Sequence, residues 1–501
     1  MSPASSSRHS PSVPAGQGVD NLGKVESRGI DFIPEAERNS KPRNLFWTYF
    51  GCQFGLGNYT LGGLVILLGL SWWQAFTAII IGNAVGSLLV SLVALLGPRT
   101  GTNSSVSSGA FFGVRGRYLG SFLAQFDNLG FNILAVWPAG LALEYSAHRL
   151  FHTPTGVGPL ILGMLITAVI MSLLALYGHA TLIAAYKLAG PINIVVLVIY
   201  VVMISSHFKL GFAGAHYAYG PLGATFLFAI TIGIVNPISF AVGVNDYARR
   251  LPTGTPPMSI IRSLSLGMFF GNACAYLFGA FVTLCFASPG AVFVQAYIGL
   301  SPFWLLVPLA IVGFVGNVVG GALNSYNATL DLHAVLWRIS RAWNAVIVMV
   351  ATMLVVYLAV VAYNATNSID SFVSVLSAIL APWIAILTVG HFRVRGRYRT
   401  QDLQAFASSG WKGIYEYTNG FNIRAWLVWA VGSAAALMFS NTSFFEGPLS
   451  RATNGMDLSF LTGFVIGGVL SALIDCTSRS RAADLSKGSL EPPPTSVTPA
   501  A

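Results

Sequence analysis

Charge is what this chain of 501 residues has least of. Lys and Arg number 27 and Asp and Glu 17, so 9% of residues are charged, against about 25% in an ordinary soluble domain. So few charges cannot surround a core with a polar shell, which excludes a water-soluble globule. From Ser263 to Leu330 there is no Asp, Glu, Lys or Arg at all, room for two helical crossings at roughly 20 residues each. Cysteine is scarce too. Cys52, Cys274, Cys285 and Cys476 lie in or beside apolar stretches, without a CxxC or Cys/His cluster, and read as small buried hydrophobes. Nor is there an HExxH, a paired Asp-rich motif or a phosphate-binding motif, so an enzyme, a metal site or a cofactor has nothing to stand on.

What is present is apolar surface: 54% hydrophobic residues and a mean hydropathy of +0.68. It falls into about twelve spans, placed at 45–70, 73–96, 118–144, 158–177, 186–206, 222–246, 262–286, 302–330, 343–364, 371–390, 424–440 and 458–475. Residues 1–43 and 477–501 are polar and rich in Ser and Pro, and they read as disordered tails; the first lacks the pattern of a cleaved signal peptide. The net charge of +10 does not indicate nucleic acid, because the basic residues sit in short loops. An even number of spans puts both tails on one side. That side holds Arg99, Arg115, Arg117, Lys187, Arg249, Arg250, Arg262, Arg338 and Arg341, then Arg393, Arg395, Arg397, Arg399, Lys412 and Arg424. The other holds Arg149, Lys209 and Arg451. The imbalance predicts cytoplasmic termini in a plasma (cell inner) membrane.

Spans 1 and 6 share an oddity. Span 1 contains Phe50-Gly-Cys-Gln-Phe-Gly-Leu-Gly-Asn58 and span 6 contains Gly233-Ile-Val-Asn-Pro237, then Gly243. Glycine alone serves close helix packing. Interrupted segments at matching places in two halves instead point to a binding site between inverted repeats. The expected architecture is all-α: a five-plus-five inverted repeat (44–206 and 222–390) with broken helices 1 and 6, followed by trailing spans at 424–475, all within 44–476.

Several segments resemble the purine–cytosine permease branch of the nucleobase:cation symporter-1 family. They are Val25-Glu-Ser-Arg-Gly-Ile-Asp-Phe-Ile-Pro-Glu-Ala-Glu-Arg38, Thr60-Leu-Gly-Gly-Leu-Val-Ile-Leu-Leu-Gly-Leu70, Gly97-Pro-Arg-Thr-Gly101, Gly109-Ala-Phe-Phe-Gly-Val-Arg-Gly116 and Asn245-Asp-Tyr-Ala-Arg249. The resemblance implies a LeuT-type fold and a permease that imports a nucleobase or related heterocycle by cation symport and alternating access. Allantoin or hydantoin, a thiamine-like ring or an amino acid are the alternative substrates; a channel is the rival outside transporters.

A planar neutral ring needs aromatic faces to stack on and amides for its edges. Gly130-Phe131 resembles the family's Gly-Trp pair, which gives Phe131 the stacking role; Ala135 stands where the fungal branch has Asn, with Asn128 and Asn132 near enough to substitute. Phe240 corresponds to the family's second aromatic, with Pro237 as the competing match. Asn324 and Asn327 resemble an amide pair that reads the base edge; three residues apart, they share a helix face. Gln53, in the break of span 1, is a further polar candidate. Packing phenylalanines and asparagines that hold helices together are the ordinary readings.

Asp127 is a carboxylate inside span 3 and so a candidate proton carrier, whereas Asp246, near the end of span 6, suits a gating or structural bond. Sodium-coupled members of the family add hydroxyls just before the span-8 amide. The similar stretch here, Gly320-Gly-Ala-Leu323, has no side-chain oxygen, so H+ is favoured over Na+. The partners expected are a small molecule and the lipid bilayer, with no obligate protein.

Overall fold

The structure is a computed structural model that describes residues 30–286, 293–336, 338–362, 365–404, 413–442 and 444–477. Most of the two expected tails, and Lys412, lie outside these. Every element is helical; the β contacts among the described residues are the isolated bridges Thr418–Phe421 and Asn441–Glu446.

The first span is two helices, α1 (Pro42–Gly51) and α2 (Leu56–Leu67), separated by Cys52–Gly55. The second is α3 (Trp72–Val93) with its short continuation α4 (Leu96–Thr100). A nine-residue helix, α5 (Ser104–Phe112), leads into α6 (Tyr118–Phe151), then α7 (Val157–Tyr177) and α8 (His179–Ile204). The sixth span breaks as expected: α9 (Leu222–Ser239) tightens into a 3-10 turn at Phe240–Val242 before α10 (Val244–Ala248). There follow α11 (Pro257–Cys285), α12 (Phe293–Leu300), α13 (Phe303–Val335), α14 (Arg341–Tyr357) and α15 (Ala365–Arg393). The short α16 (Thr400–Leu403) and α18 (Pro448–Ala452) flank the trailing spans α17 (Ile423–Met438) and α19 (Ser459–Ile474).

Among the described residues, eight spans are long and apolar enough on their own to cross a membrane, and α2, α17 and α19 are shorter apolar helices. The 34-residue α6 is not among the eight, because Asp127, Asn128, Asn132 and Glu144 lower its hydropathy. Several boundaries differ from the sequence reading: α11 starts at Pro257 and α15 at Ala365, α6 runs to Phe151, α8 starts at His179, and α13 runs to Val335. At Ser146, His179 and Asp331 the helix includes a polar residue that is buried, which hydropathy cannot foresee. The last shift matters most: it puts Asp331, fully buried, inside a helix. Cys274 also departs from expectation, because it is exposed while the other three cysteines are buried.

Packing is set by glycine. A Cβ on Gly233 of α9 would lie 3.1 Å from the Cα of Gly82 on α3, so the two helices touch backbone to backbone. On α13 the glycines serve the first break: a Cβ on Gly316 would strike the Phe54 carbonyl, and one on Gly320 would come within 2.8 Å of the Cys52 carbonyl. Helices α17 and α19 pack on α15 and on each other, away from the breaks.

At the end of the bundle that carries the basic residues, α5, in the first half, is pinned by α10 and α13 of the second. Its first amide, Ser104 N–H, donates to Asp246 Oδ1 at 2.9 Å, and the Ser105 hydroxyl donates to Asp331 Oδ1. Ser104 Oγ accepts from Asn245 N–H at 3.0 Å. A carboxylate at a helix start satisfies an orphan amide and complements the helix dipole. The polar segment before α1, with a 3-10 turn at Glu35–Glu37, closes over this end. Arg38 donates to the Ile33 and Pro98 carbonyls and to Thr253 Oγ1, each at 2.8 Å. Hydrogen bonds from Thr253, aided by Arg38, hold the Glu35 carboxyl below its usual range.

Two substitutions test this packing. Gly233→Val overpacks the α3–α9 contact and is expected to destabilise by about 1–3 kcal/mol, read as a lower thermal midpoint of the purified protein, with Gly233→Ala intermediate. Asp246→Ala leaves the Ser104 amide unpaired, a loss of about 1–3 kcal/mol. Asp246→Asn keeps an acceptor and should recover most of the midpoint.

Candidate functional site

The two helix breaks lie beside a common cavity. It holds ≈ 390 Å³ of space between protein atoms, part of it open to solvent. Its wall comes from the first break and α2, from α6, from α9 with its 3-10 turn, and from α13.

A break inside a membrane frees backbone groups that no water is there to satisfy. Here asparagines do it. Asn58, in the first turn of α2, donates to the freed Gln53 carbonyl at 2.9 Å and to Gln53 Oε1 at 3.0 Å. Its own Oδ1 accepts from Asn236 Nδ2 of α9 at 2.9 Å. One side chain thus binds the first break and joins it to the second. Helix α2 has no side-chain cap of its own; Asn317 of α13 stands in its place, its Oδ1 facing Gly57 N–H at 3.5 Å while its Nδ2 donates to Gly313 O at 2.7 Å. Asn58, Asn236 and Asn317 all line the cavity. Asn236 Oδ1 is buried and has no hydrogen-bond partner among the described residues.

Of the residues singled out from sequence, Phe131, Phe240 and Asn324 line this cavity, as does Ala135. Phe131 is braced from behind by Phe372 of α15, edge to face at 5.6 Å between ring centres, and Phe240 by Tyr49 of α1 at 5.7 Å. Gly130 makes the first arrangement possible, because a Cβ there would collide with the Phe372 ring. Pro237, the competitor of Phe240, lies instead against α3, where a Cβ on Gly86 would come within 2.9 Å of it. Half-buried Asn324 makes no side-chain hydrogen bond with the described residues.

The other candidates are not brought to the wall. Gln53 is buried one layer behind, its amide against Met268 Sδ at 3.1 Å, and acts on the cavity only through Asn58. Asn128 donates to Ala124 O of its own helix at 2.8 Å. Asn132 donates to Thr352 Oγ1 of α14 at 3.1 Å, because one residue past Phe131 the helix has turned by about 100°. Asn327 packs against the second break, where a Cβ on Gly243 would collide with its amide. Asp127 lies one turn before Phe131, buried, and its Oδ1 has no hydrogen-bond partner among the described residues. Asp246 is at the α5 clasp.

Sequence reasoning missed Asn58, Asn236, Asn317 and Asp331. The first two stand in the segments whose glycines and proline marked the breaks. Asn317 lies among the α13 glycines, three residues before Gly320, on the helix face that meets the first break.

The cavity wall holds no charged side chain. It offers aromatic faces, amide donors and acceptors and glycine backbone, a set that suits an uncharged polar ring.

Known proteins are similar to this chain in sequence and fold. The family model for permeases for cytosine/purines, uracil, thiamine and allantoin matches residues 32–463. YxlA of Bacillus subtilis (strain 168), a purine-cytosine permease by name, is 26% identical over 463 residues, covering 89% of this chain and 95% of its own. The purine-uracil permease NCS1 of Arabidopsis thaliana is 23% identical, with 85% of this chain and 74% of its own covered. Among solved structures, Mhp1, a nucleobase-cation-symport-1 family transporter in a closed conformation with bromovinylhydantoin bound, superposes with a TM-score of 0.73 at 19% identity. That match covers 92% of this chain and 96% of the other, and it shows the LeuT-type fold. The chain belongs to the family of permeases for cytosine/purines, uracil, thiamine and allantoin, the nucleobase:cation symporter-1 family, and is an integral membrane transporter rather than an enzyme.

Proposed function

We propose that this protein imports an uncharged nucleobase of the cytosine/purine class across the plasma membrane by proton symport, with both termini in the cytoplasm. The observation that carries the substrate reading is the cavity wall, which sets Phe131 and Phe240 beside Asn58, Asn236, Asn317 and Asn324 without a charged group. An amino acid would bring a carboxylate and an ammonium, and a thiamine-like ring a fixed positive charge. In a site without a counter-charge each would lose hydration with no compensation. A hydantoin, the ring class bound in the Mhp1 structure, meets the same donors and acceptors as a base and is the second reading.

In this scheme Phe131 and Phe240 hold the ring by its faces. Asn324 and the free Oδ1 of Asn236 pair with its edge, and Asn58 with Asn317 keeps the two breaks in register. For the coupling ion, the freed Cys52 carbonyl faces Gly320, and the neighbouring α13 residues Gly321, Ala322 and Leu323 carry no side-chain oxygen. A sodium ion there would lack the oxygen ligands it needs. Asp127, one turn from Phe131 on the same helix face, is the proposed proton carrier.

Uptake of radiolabelled bases by a transport-deficient host tests the substrate. Cytosine or a purine should accumulate and be displaced by unlabelled base; no uptake of any base would defeat the reading. Asn324→Ala should raise KM roughly 5- to 150-fold, the equivalent of about 1–3 kcal/mol for one buried hydrogen bond, and leave the thermal midpoint unchanged, since that amide has no other bond to lose. An unchanged KM removes Asn324 from the site.

Coupling has its own test. Protonation must precede inward movement, so the initial rate should rise as external pH falls and be indifferent to replacing Na+ by K+. Asp127→Asn should abolish accumulation while preserving base exchange. Sodium-dependent uptake that ignores pH would overturn the proton assignment.

A further inference from the structure

A second cavity, of ≈ 460 Å³, lies away from the broken helices at the basic end of the bundle. It is bounded by the end of α4, the start of α11 and the turn that closes α15. Two arginines line it, Arg99 and Arg395, and no carboxylate does. Neighbouring arginines on the same turn have acidic partners: Arg393 meets Asp475 at 3.5 Å and Arg399 meets Asp402 at 3.7 Å. Arg99 and Arg395 make no ion pair or side-chain hydrogen bond with the described residues. Both arginines are exposed at the cavity's edge, and two like charges bordering one cavity favour an anion between them.

The surroundings are built for that anion. The turn after α15 holds Arg395 at φ 54° and Gly396 at φ 65°, and Gly396 N–H returns to the His391 carbonyl at 3.1 Å. That left-handed backbone is uncommon for a non-glycine residue. It sets the Arg395 turn against Arg99, whose Cγ lies 3.9 Å from where a Cβ of Gly396 would stand. His391 lines the cavity with its Nδ1 engaged by the Tyr398 hydroxyl at 2.8 Å, which leaves Nε2 as its remaining polar atom. Across from them begins the 29-residue α11, with Pro257 in its first turn; the start of a helix carries partial positive charge.

Location narrows the source of the anion. Phe392, on the cavity wall, is 56% exposed, and Met258, next to the wall residue Pro257, is 53% exposed. On the outside of a membrane bundle such side chains meet hydrocarbon, so the cavity opens where lipid headgroups lie. Guanidinium pairs bind phosphate oxygens in fork geometry. We propose that the Arg99–Arg395 cavity is a binding site for a phosphate anion, carried by an anionic phospholipid headgroup or free in solution, separate from the transport site.

The test uses the full-length protein purified in detergent at low ionic strength. Dissociation constants and thermal midpoints are measured with phosphatidylglycerol, with phosphatidylcholine and with inorganic phosphate. Wild type should bind phosphatidylglycerol more tightly than phosphatidylcholine. Arg99→Gln and Arg395→Gln should each weaken that preference about fivefold and the double variant roughly 25-fold, and added salt should weaken it further. Arg99→Lys/Arg395→Lys, which keeps the charge, should retain most of it and serves if the glutamine pair does not fold. Protection by phosphatidylglycerol with none from inorganic phosphate assigns the lipid; protection by inorganic phosphate that the double variant loses assigns the soluble anion. Equal binding of the two lipids without a phosphate effect overturns the proposal. So does a double variant that binds phosphatidylglycerol like wild type. Base uptake is not a readout here, so the outcome is independent of the transport reading.

Discussion

Broken backbone inside a membrane must find its partners within the protein, and this structure follows from how it does so. An intact helix satisfies its own amides and carbonyls; α1–α2 and α9–α10 give that up in mid-membrane. Each group left unpaired in hydrocarbon would cost several kcal/mol. Asn58 answers for the first break by taking the Gln53 carbonyl, and for the link to the second by accepting from Asn236. Asn317 reaches from α13 to the start of α2. The amides that repair the backbone also line the cavity, so cavity and repair are one construction.

Close approach makes the repair possible. Asparagine is short, and Asn317 can face the α2 amides only because α13 lies against the break with no side chain between. Glycine supplies that clearance: Gly316 admits the Phe54 carbonyl and Gly320 the Cys52 carbonyl. The same residues that bring the backbone close also leave α13 without hydroxyls beside Cys52. Tight packing and the missing hydroxyls therefore share a cause, because a glycine that lets two backbones meet cannot also carry a side-chain oxygen.

The fold was largely legible because its signals are local and strong. Charge gaps mark spans, loop arginines mark a side, and Gly and Pro mark the breaks. Boundaries failed where a helix continued through a polar residue: Asp331 looked like the start of a loop, yet Ser105 binds it inside the bundle. The site was legible in part. Phe131, Phe240 and Asn324 were found through resemblance and lie together on the cavity wall. Asn128 and Asn132 were offered by proximity along the helix, but spacing does not say whether an amide is spent on its own backbone or on a neighbouring helix. Asn58 and Asn236 lay in plain view within the break segments. Reading Gly and Pro as broken backbone raised a further question, which side chains then satisfy that backbone, and that question leads to both.

The Asn58–Asn236 bond also constrains how a transporter of this build can move. It ties α2 to α9, so the two breaks shift together as long as it holds. Separating them leaves an amide oxygen unpaired in a dry site, at about 1–3 kcal/mol. A ring that presents a donor to Asn58 Oδ1 and an acceptor to Asn236 Nδ2 removes that cost, because neutral hydrogen bonds to the ring replace the one that parted. A substrate without such an edge does not. In the proposed scheme, recognition and release of the breaks draw on the same amides, and the ring that fits the wall is the one that lets the wall open.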